Sequence, residues 1–252
     1  MNLSITEFNI YPEYPDNIIV TWSLSDQTKW NECDFNVFIS DSNDNAFVKV
    51  NNIPIHNEAQ YRIPINLLYK QEYIFVKIEL INSEFSYSTE PKYFVTETPF
   101  NILLIAQELV RKKNLLRSVS TGIECVLRKR KIFGVPCLKC TDPVTNYCTD
   151  PNCLFCYGTK IVGGFSAPQD IYCEILEGNR EIKPSEMGTV ENIIGAGFLA
   201  SPIVTKGDVI IEKHRNARWY INSVTRTQYR TLIVDQKFDI RRIAPKDIEY
   251  KL

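Results

Sequence analysis

Eight cysteines occur in this 252-residue chain, and five of them fall between Cys137 and Cys156. Their spacing is Cys137-x2-Cys140, an interval of twelve residues, then Cys153-x2-Cys156. A C-x-x-C pair folds into a tight turn that aims two sulfurs at one centre. Two such turns supply the four thiolates of a tetrahedral zinc shell. The spacing predicts one structural Zn2+ held by Cys137, Cys140, Cys153 and Cys156, with Cys148 able to take the place of Cys153. Four thiolates leave no open position for water or substrate, so the donor set that favours zinc argues against catalysis by it. The metal would replace a hydrophobic core that so short a segment does not form by itself. The N-terminal stretch MNLSITEFNIYPEYP has neither a basic start nor an apolar core, so it does not read as a secretory signal. The thiols are therefore expected in a reducing compartment, where metal ligation is favoured over disulfides.

Other chemistry is sparse. The only histidines are His56 and His214, and His214 lies in Glu212-Lys213-His214-Arg215-Asn216, which reads as a hairpin turn. There is no G-x-G-x-x-G, phosphate-binding loop, H-E-x-x-H or G-x-S-x-G. No nucleophile with a positioned base can be named, so the expectation is a non-enzymatic protein without catalytic or organic-cofactor residues. From Arg111 to Lys131 there are eight basic residues and one acid, Glu124. That run, with Lys129-Arg130-Lys131 at its end, reads either as a solvated face or as a contact for a phosphate backbone or an acidic neighbour. Aromatic residues are not interleaved with it, so it is not a stacking platform for bases.

The elements that must carry these residues are mainly β. Residues 1–97 hold short runs rich in Ile, Val, Phe and Tyr: Ile18 to Ser23, Asp34 to Ser40, Phe47 to Val50, Tyr61 to Ile65, Tyr73 to Ile81, and Ser88 to Phe94. Trp22 is a candidate core anchor, Phe35, Val37 and Ile39 share one strand face, and Ser42 to Asn45 is a turn cluster. Cys33, alone in this region, reads as a small buried hydrophobe. With Val20-Thr21-Trp22 early, the Phe35-to-Ser40 strand, and Tyr73-Ile74-Phe75-Val76-Lys77-Ile78 late, the stretch resembles a fibronectin type III module. The resemblance implies an immunoglobulin/fibronectin-like two-sheet sandwich.

A second domain is expected over 98–252, opened by a helix over 99–117 with Ile102, Ile105, Ala106 and Leu109 on its core face. Thr98 can cap it and Pro99 suits its first turn. Strands are expected at Gly122 to Leu127, Lys160 to Phe165, Ile171 to Leu176, Val209 to Glu212, Arg218 to Val224, Leu232 to Phe238 and Ile240 to Ile243. Glu181 to Leu199, with Gly188, Gly195 and Gly197, reads as less regular. Closely spaced short strands suggest a small C-terminal β-barrel, with the zinc knuckle (135–160) inserted in it. Residues 1–98 carry 14 acidic and 6 basic side chains, a net of −8, while the rest of the chain is +7. Opposite halves point to different partners or to mutual docking. No run of 18 apolar residues is present, so no membrane span is expected.

Two further resemblances follow. Cys153-Leu154-Phe155-Cys156-Tyr157-Gly158-Thr159-Lys160 is similar to half of a chaperone-type C-x-x-C-x-G-x-G repeat, with Lys160 where the second glycine would stand. The likeness is to knuckle geometry, since the four repeats and J-domain of that family are missing. Second, Leu127-Arg128-Lys129-Arg130-Lys131-Ile132-Phe133-Gly134, the two C-x-x-C pairs, Gly163-Gly164-Phe165, Arg218-Trp219-Tyr220-Ile221 and Ile243-x3-Asp247-x2-Tyr250 together resemble neck or head-completion proteins of tailed-bacteriophage virions. That resemblance implies a homo-oligomeric ring at the head–tail junction. It would contact other virion neck, portal or tail proteins, with passing contact to DNA in the channel, in a virion assembled in the host cytoplasm. The rival expectations are a zinc-ribbon nucleic-acid-binding protein and a virion ligand-binding or baseplate module carried by the sandwich.

Overall fold

The computed structural model describes the chain apart from residues 1–2, 14–16, 42, 44–46, 65–72, 84, 96–97, 133, 141, 143–148, 151 and 186–187. It divides into two compact units, Met1–Ile102 with Phe133–Pro136, and Leu103–Ile132 with Cys137–Leu252. The division lies within the first turn of the single described α-helix, α1 (Phe100–Leu116).

The first unit runs β1 (Ile5–Glu13), β2 (Asn17–Leu24), a 3-10 turn (Gln27–Glu32), β3 (Cys33–Ser40), β4 (Val48–Lys49), β5 (Ile55–His56), β6 (Gln60–Pro64), β7 (Tyr73–Asn82), β8 (Ser86–Ser88) and β9 (Lys92–Val95). One sheet has the order β1-β2-β6. The other has the order β4-β3-β7-β8, with β5 also on β3 and β9 also on β7. Period-two alternation drives this: Ile18, Val20, Trp22 and Leu24 of β2 are buried while the residues between them are not. Phe35 and Val37 of β3 and Ile74, Val76, Ile78 and Leu80 of β7 complete the apolar interior. The Trp22 and Phe35 rings meet with centroids 5.2 Å apart.

Sequence pattern and structure part company at both ends of this unit. β1 was not expected, because it is an edge strand paired only with β2 and its side chains are mostly part-exposed, so no apolar alternation marks it. The single strand expected from Ser88 to Phe94 is instead two, β8 and β9, both on β7. Pro91 lies in the gap and has no N–H for a ladder, and Thr89 Oγ1 accepts from Ile78 N there (3.0 Å). The turn cluster at Ser42 to Asn45, apart from Asn43, and Ile65 lie outside the described residues.

The second unit is built on β10 (Ile123–Arg128), β11 (Gln169–Ser185), β12 (Gly188–Leu199), β13 (Val209–Glu212), β14 (Arg218–Tyr229) and β15 (Leu232–Arg242). These close into a six-stranded barrel in the order β10-β11-β12-β15-β14-β13. Its interior is filled by side chains, among them Cys125, Leu127, Ile171, Cys173, Leu199, Ile210, Trp219, Ile221, Phe238 and Ile240. The stretch expected to be irregular is most of the long β11–β12 hairpin. Its glycines conceal a strand. Gly197 stands opposite Phe238, and a Cβ there would lie 2.1 Å from that ring, so the absent side chain is what admits the aromatic. Leu232 to Arg242 is one strand rather than two.

The helix also differs. Its buried stripe is Leu103, Ala106 and Val110, and Ile105, placed on the core face by sequence, is 45% exposed. The stripe continues to Arg117 through a π-helical turn (Arg117–Thr121). Lys113 and Arg117 both pair with Asp235 of β15, the latter at 2.9 Å. A stripe that ends in an ion pair does not register as apolar periodicity, which is why the neighbouring face looked better.

Candidate metal centre

The chain leaves the barrel after β10 and returns at β11, and the two cysteine turns occupy the excursion. Cys140 N donates to Cys137 O (3.4 Å), and Tyr157 N donates to Cys153 O (2.8 Å), so each pair is closed by its own backbone. Cys137 N donates to Lys160 O (2.8 Å), which ties the first turn to the end of the second. Thr159 gives both its N–H and its hydroxyl to Cys156 O, at 2.9 and 2.6 Å. Tyr157, Gly158 and Lys160 have φ of +49°, +71° and +70°. The position where the repeat pattern has its second glycine is thus left-handed in this chain, and carries a lysine.

The sequence-predicted ligands come together. Cys137, Cys140, Cys153 and Cys156 are all buried, with their Sγ atoms within 4.8 Å of one another. Across the turns, Cys140 Sγ and Cys156 Sγ are 3.3 Å apart, and Cys137 Sγ and Cys153 Sγ 3.9 Å. Sulfurs held about 2.3 Å from a common tetrahedral centre stand about 3.8 Å from each other, so the donor set fits a four-coordinate metal ion. Cys148 lies outside the described residues. The four cysteines form a buried cluster of their own, without apolar neighbours of comparable burial. Hydrogen bonding from the Phe155 backbone N–H, more than any other contact, lowers the Cys153 thiol to about 7, whereas burial raises Cys156. By contrast burial raises Cys125 to about 12 and raises Cys173 and Cys33 as well, which makes those thiols inert packing.

The Lys-Arg-Lys run does not behave as a charged face. Lys129 and Lys131 are only 7% and 8% exposed. Their backbone splices the knuckle to the barrel: Lys131 N donates to Gly164 O (3.0 Å), and Ser166 N donates to Lys129 O (2.8 Å). Between them Arg130 forms a bridge with Phe165. Lys131 Nζ reaches Val162 O (3.4 Å), and Arg128 Nη1 reaches Ser166 O (3.3 Å). The strand expected over Lys160 to Phe165 is instead reduced to single bridging residues, Ile161 and Phe165, because left-handed Lys160, Gly163 and Gly164 keep turning the chain. Gly164 (φ +60°) admits nothing larger: a Cβ would stand 2.5 Å from Cys156 O.

One residue of this splice escaped sequence reasoning. Asp208 is fully buried and accepts from Arg130 N and Thr205 N, both at 2.8 Å, and burial pushes its carboxyl up. No local pattern marks it: it directly precedes the strand expected from Val209 to Glu212.

The two histidines fall in different units. His56 Nδ1 is 3.0 Å from Asp34 Oδ1. His214 is exposed beside a cavity of about 140 Å³ that Glu124, Glu177, Glu212 and Arg215 also line. Its polar groups are already engaged: Trp219 Nε1 donates to Glu212 (2.6 Å), Arg215 pairs with Glu177 (3.0 Å), and Tyr172 donates to Glu124 (3.2 Å).

No protein-family model matches this chain, and no curated protein matches it either. No helix among the described residues is long and apolar enough to cross a membrane. The arrangement itself can hold one metal ion in a closed four-sulfur shell, and can hold it rigidly with respect to the barrel through the Lys129–Lys131 splice.

Proposed function

We propose that the chain is a non-enzymatic structural subunit of a tailed-phage virion, a component of a ring at the head–tail junction, whose knuckle is set by one structural zinc ion. The observation that carries the reading is the closed, buried set of four thiols keyed by backbone hydrogen bonds into a barrel whose interior is filled with side chains. Four sulfurs select zinc over hard cations, and a complete shell suits scaffolding rather than turnover. The motif resemblance supplies the virion setting. In this reading the first unit is a fibronectin type III-like module, and its two antiparallel sheets meeting at Trp22 and Phe35 support that assignment.

The zinc-ribbon nucleic-acid alternative loses its best argument, because Lys129 and Lys131 are buried and engaged through their backbones. Metal analysis of purified protein should return about one zinc per chain by the four-thiolate argument. Electron microscopy of the protein with its virion neighbours should show closed rings. A folded, metal-free chain would sink the zinc, and a chain that stays monomeric among those neighbours would sink the ring. Affinity for DNA that falls steeply with salt would restore the alternative.

A further inference from the structure

We infer that the tip of the cysteine knuckle is a docking knob, and that its partner is the acidic N-terminal unit of a second copy of this chain. The inference rests on the ring reading and names the contact that would build the ring. Each C-x-x-C turn wraps its two sulfurs inward and carries its two middle residues outward. Those middle residues are Leu138-Lys139 and Leu154-Phe155. Leu138 is 79% exposed, Leu154 55% and Phe155 52%. Lys139 Nζ sits 3.3 Å from the centroid of the Phe155 ring, so the two turns form one continuous surface.

A knuckle that served only to close a loop would have no reason to place three large apolar side chains in water. Single exposed apolar residues are ordinary on any protein, but a group of them on a rigid tip marks an interaction site. Here the metal shell and the left-handed turn at Tyr157, Gly158 and Lys160 fix the tip before it meets anything, which reduces the ordering cost of association.

Charge selects the partner. The tip adds exposed Lys139 to its apolar centre; elsewhere in the knuckle Lys160 is balanced by Asp142 and exposed Asp150, so Lys139 is the charge carried between the two turns. Residues 1–98 carry a net of −8 against +7 for the remainder, so the chain contains its own electrostatic complement. The first unit also exposes Tyr11, Tyr93 and Val95, large apolar groups that suit a knob of this kind. Contacts between unlike patches on identical chains are head-to-tail, and such contacts close into rings when the rotation allows.

The test is sedimentation velocity of the full-length, zinc-loaded chain over a range of concentration, at low and at high salt. Wild-type protein should self-associate, more weakly at high salt. Leu154→Ser and Phe155→Ser should each weaken association about tenfold or more, with zinc content and circular dichroism unchanged. Lys139→Glu, which leaves every sulfur in place, should weaken it mainly at low salt, and decides the matter if a serine variant fails to fold. Leu116→Ser, on an exposed part of the helix, should leave association as it was. Association that is intact in all three tip variants overturns the knob while leaving the ring standing. Association indifferent to salt and to Lys139→Glu overturns the acidic unit as partner. A chain that stays monomeric at every concentration overturns the knob, whereas the ring falls only if the chain also stays monomeric among its virion neighbours.

Discussion

The barrel and the knuckle belong to one unit and are held together by opposite means. The barrel buries a dozen residues around Trp219 and Phe238, and its six strands pair in a closed ring. Among the described residues of the knuckle, the four cysteines form a buried cluster of their own. One is stabilised by removing apolar surface from water, whereas the other offers four sulfurs that can make directed bonds to a single metal ion. The contrast teaches that burial alone does not distinguish a core from a site, since Cys125 and Cys156 are equally buried. What separates them is whether the sulfur faces apolar side chains or other sulfurs.

The sharpest way to break the comparison is to remove the metal. Structural zinc sites contribute an apparent ~10–16 kcal/mol of binding free energy. Chelation should therefore abolish hydrogen-exchange protection of the knuckle amides, such as Tyr157 and Thr159, while the β10–β15 amides stay protected. A single cooperative loss of both would mean that the barrel has no independent stability. Next in size, Trp219→Ala should cost about 3–5 kcal/mol in urea unfolding, through the cavity and through the Glu212 carboxylate left without its donor, yet leave zinc content unchanged. Gly164→Ala should act on the other side. A Cβ 2.5 Å from Cys156 O costs about 1–3 kcal/mol, visible as faster metal loss to a chelator with little change in the barrel's melting. The smallest effect is expected from Lys160→Gly, which relieves a left-handed lysine for a gain of under about 1 kcal/mol. Faster metal loss in that variant would mean that the lysine side chain, rather than the backbone turn, holds the knuckle.

The cysteine spacing was legible because ligand geometry is local: two short turns carry nearly all of it. The β character of both halves was legible for a similar reason, through the alternation in β2 and β3. What stayed hidden depends on contacts across the chain. Lys129 and Lys131 read as solvent-facing until Gly164 and Ser166 are placed against their backbones. Gly197 read as a break until Phe238 lies across from it. The helix stripe was misplaced because its last members, Lys113 and Arg117, are paired with a carboxylate on β15. In each case a residue whose type suggests solvent or irregularity is accommodated by a partner distant in sequence, and no local pattern reports that partner.

The Lys131–Gly164 and Lys129–Ser166 hydrogen bonds have a kinetic side. β10 must find β11 across the whole excursion between Leu127 and Gln169 before the barrel can close. Closing a flexible loop becomes harder as it lengthens, by about 0.6 kcal/mol for each doubling. An ion that gathers Cys137 and Cys156 removes about half of that excursion from the search, a gain of roughly threefold in the rate of first pairing by the same scaling. A bound ion would then act on the order in which the chain assembles, so that a knuckle outside the barrel's buried cluster would still help to set how quickly the barrel forms.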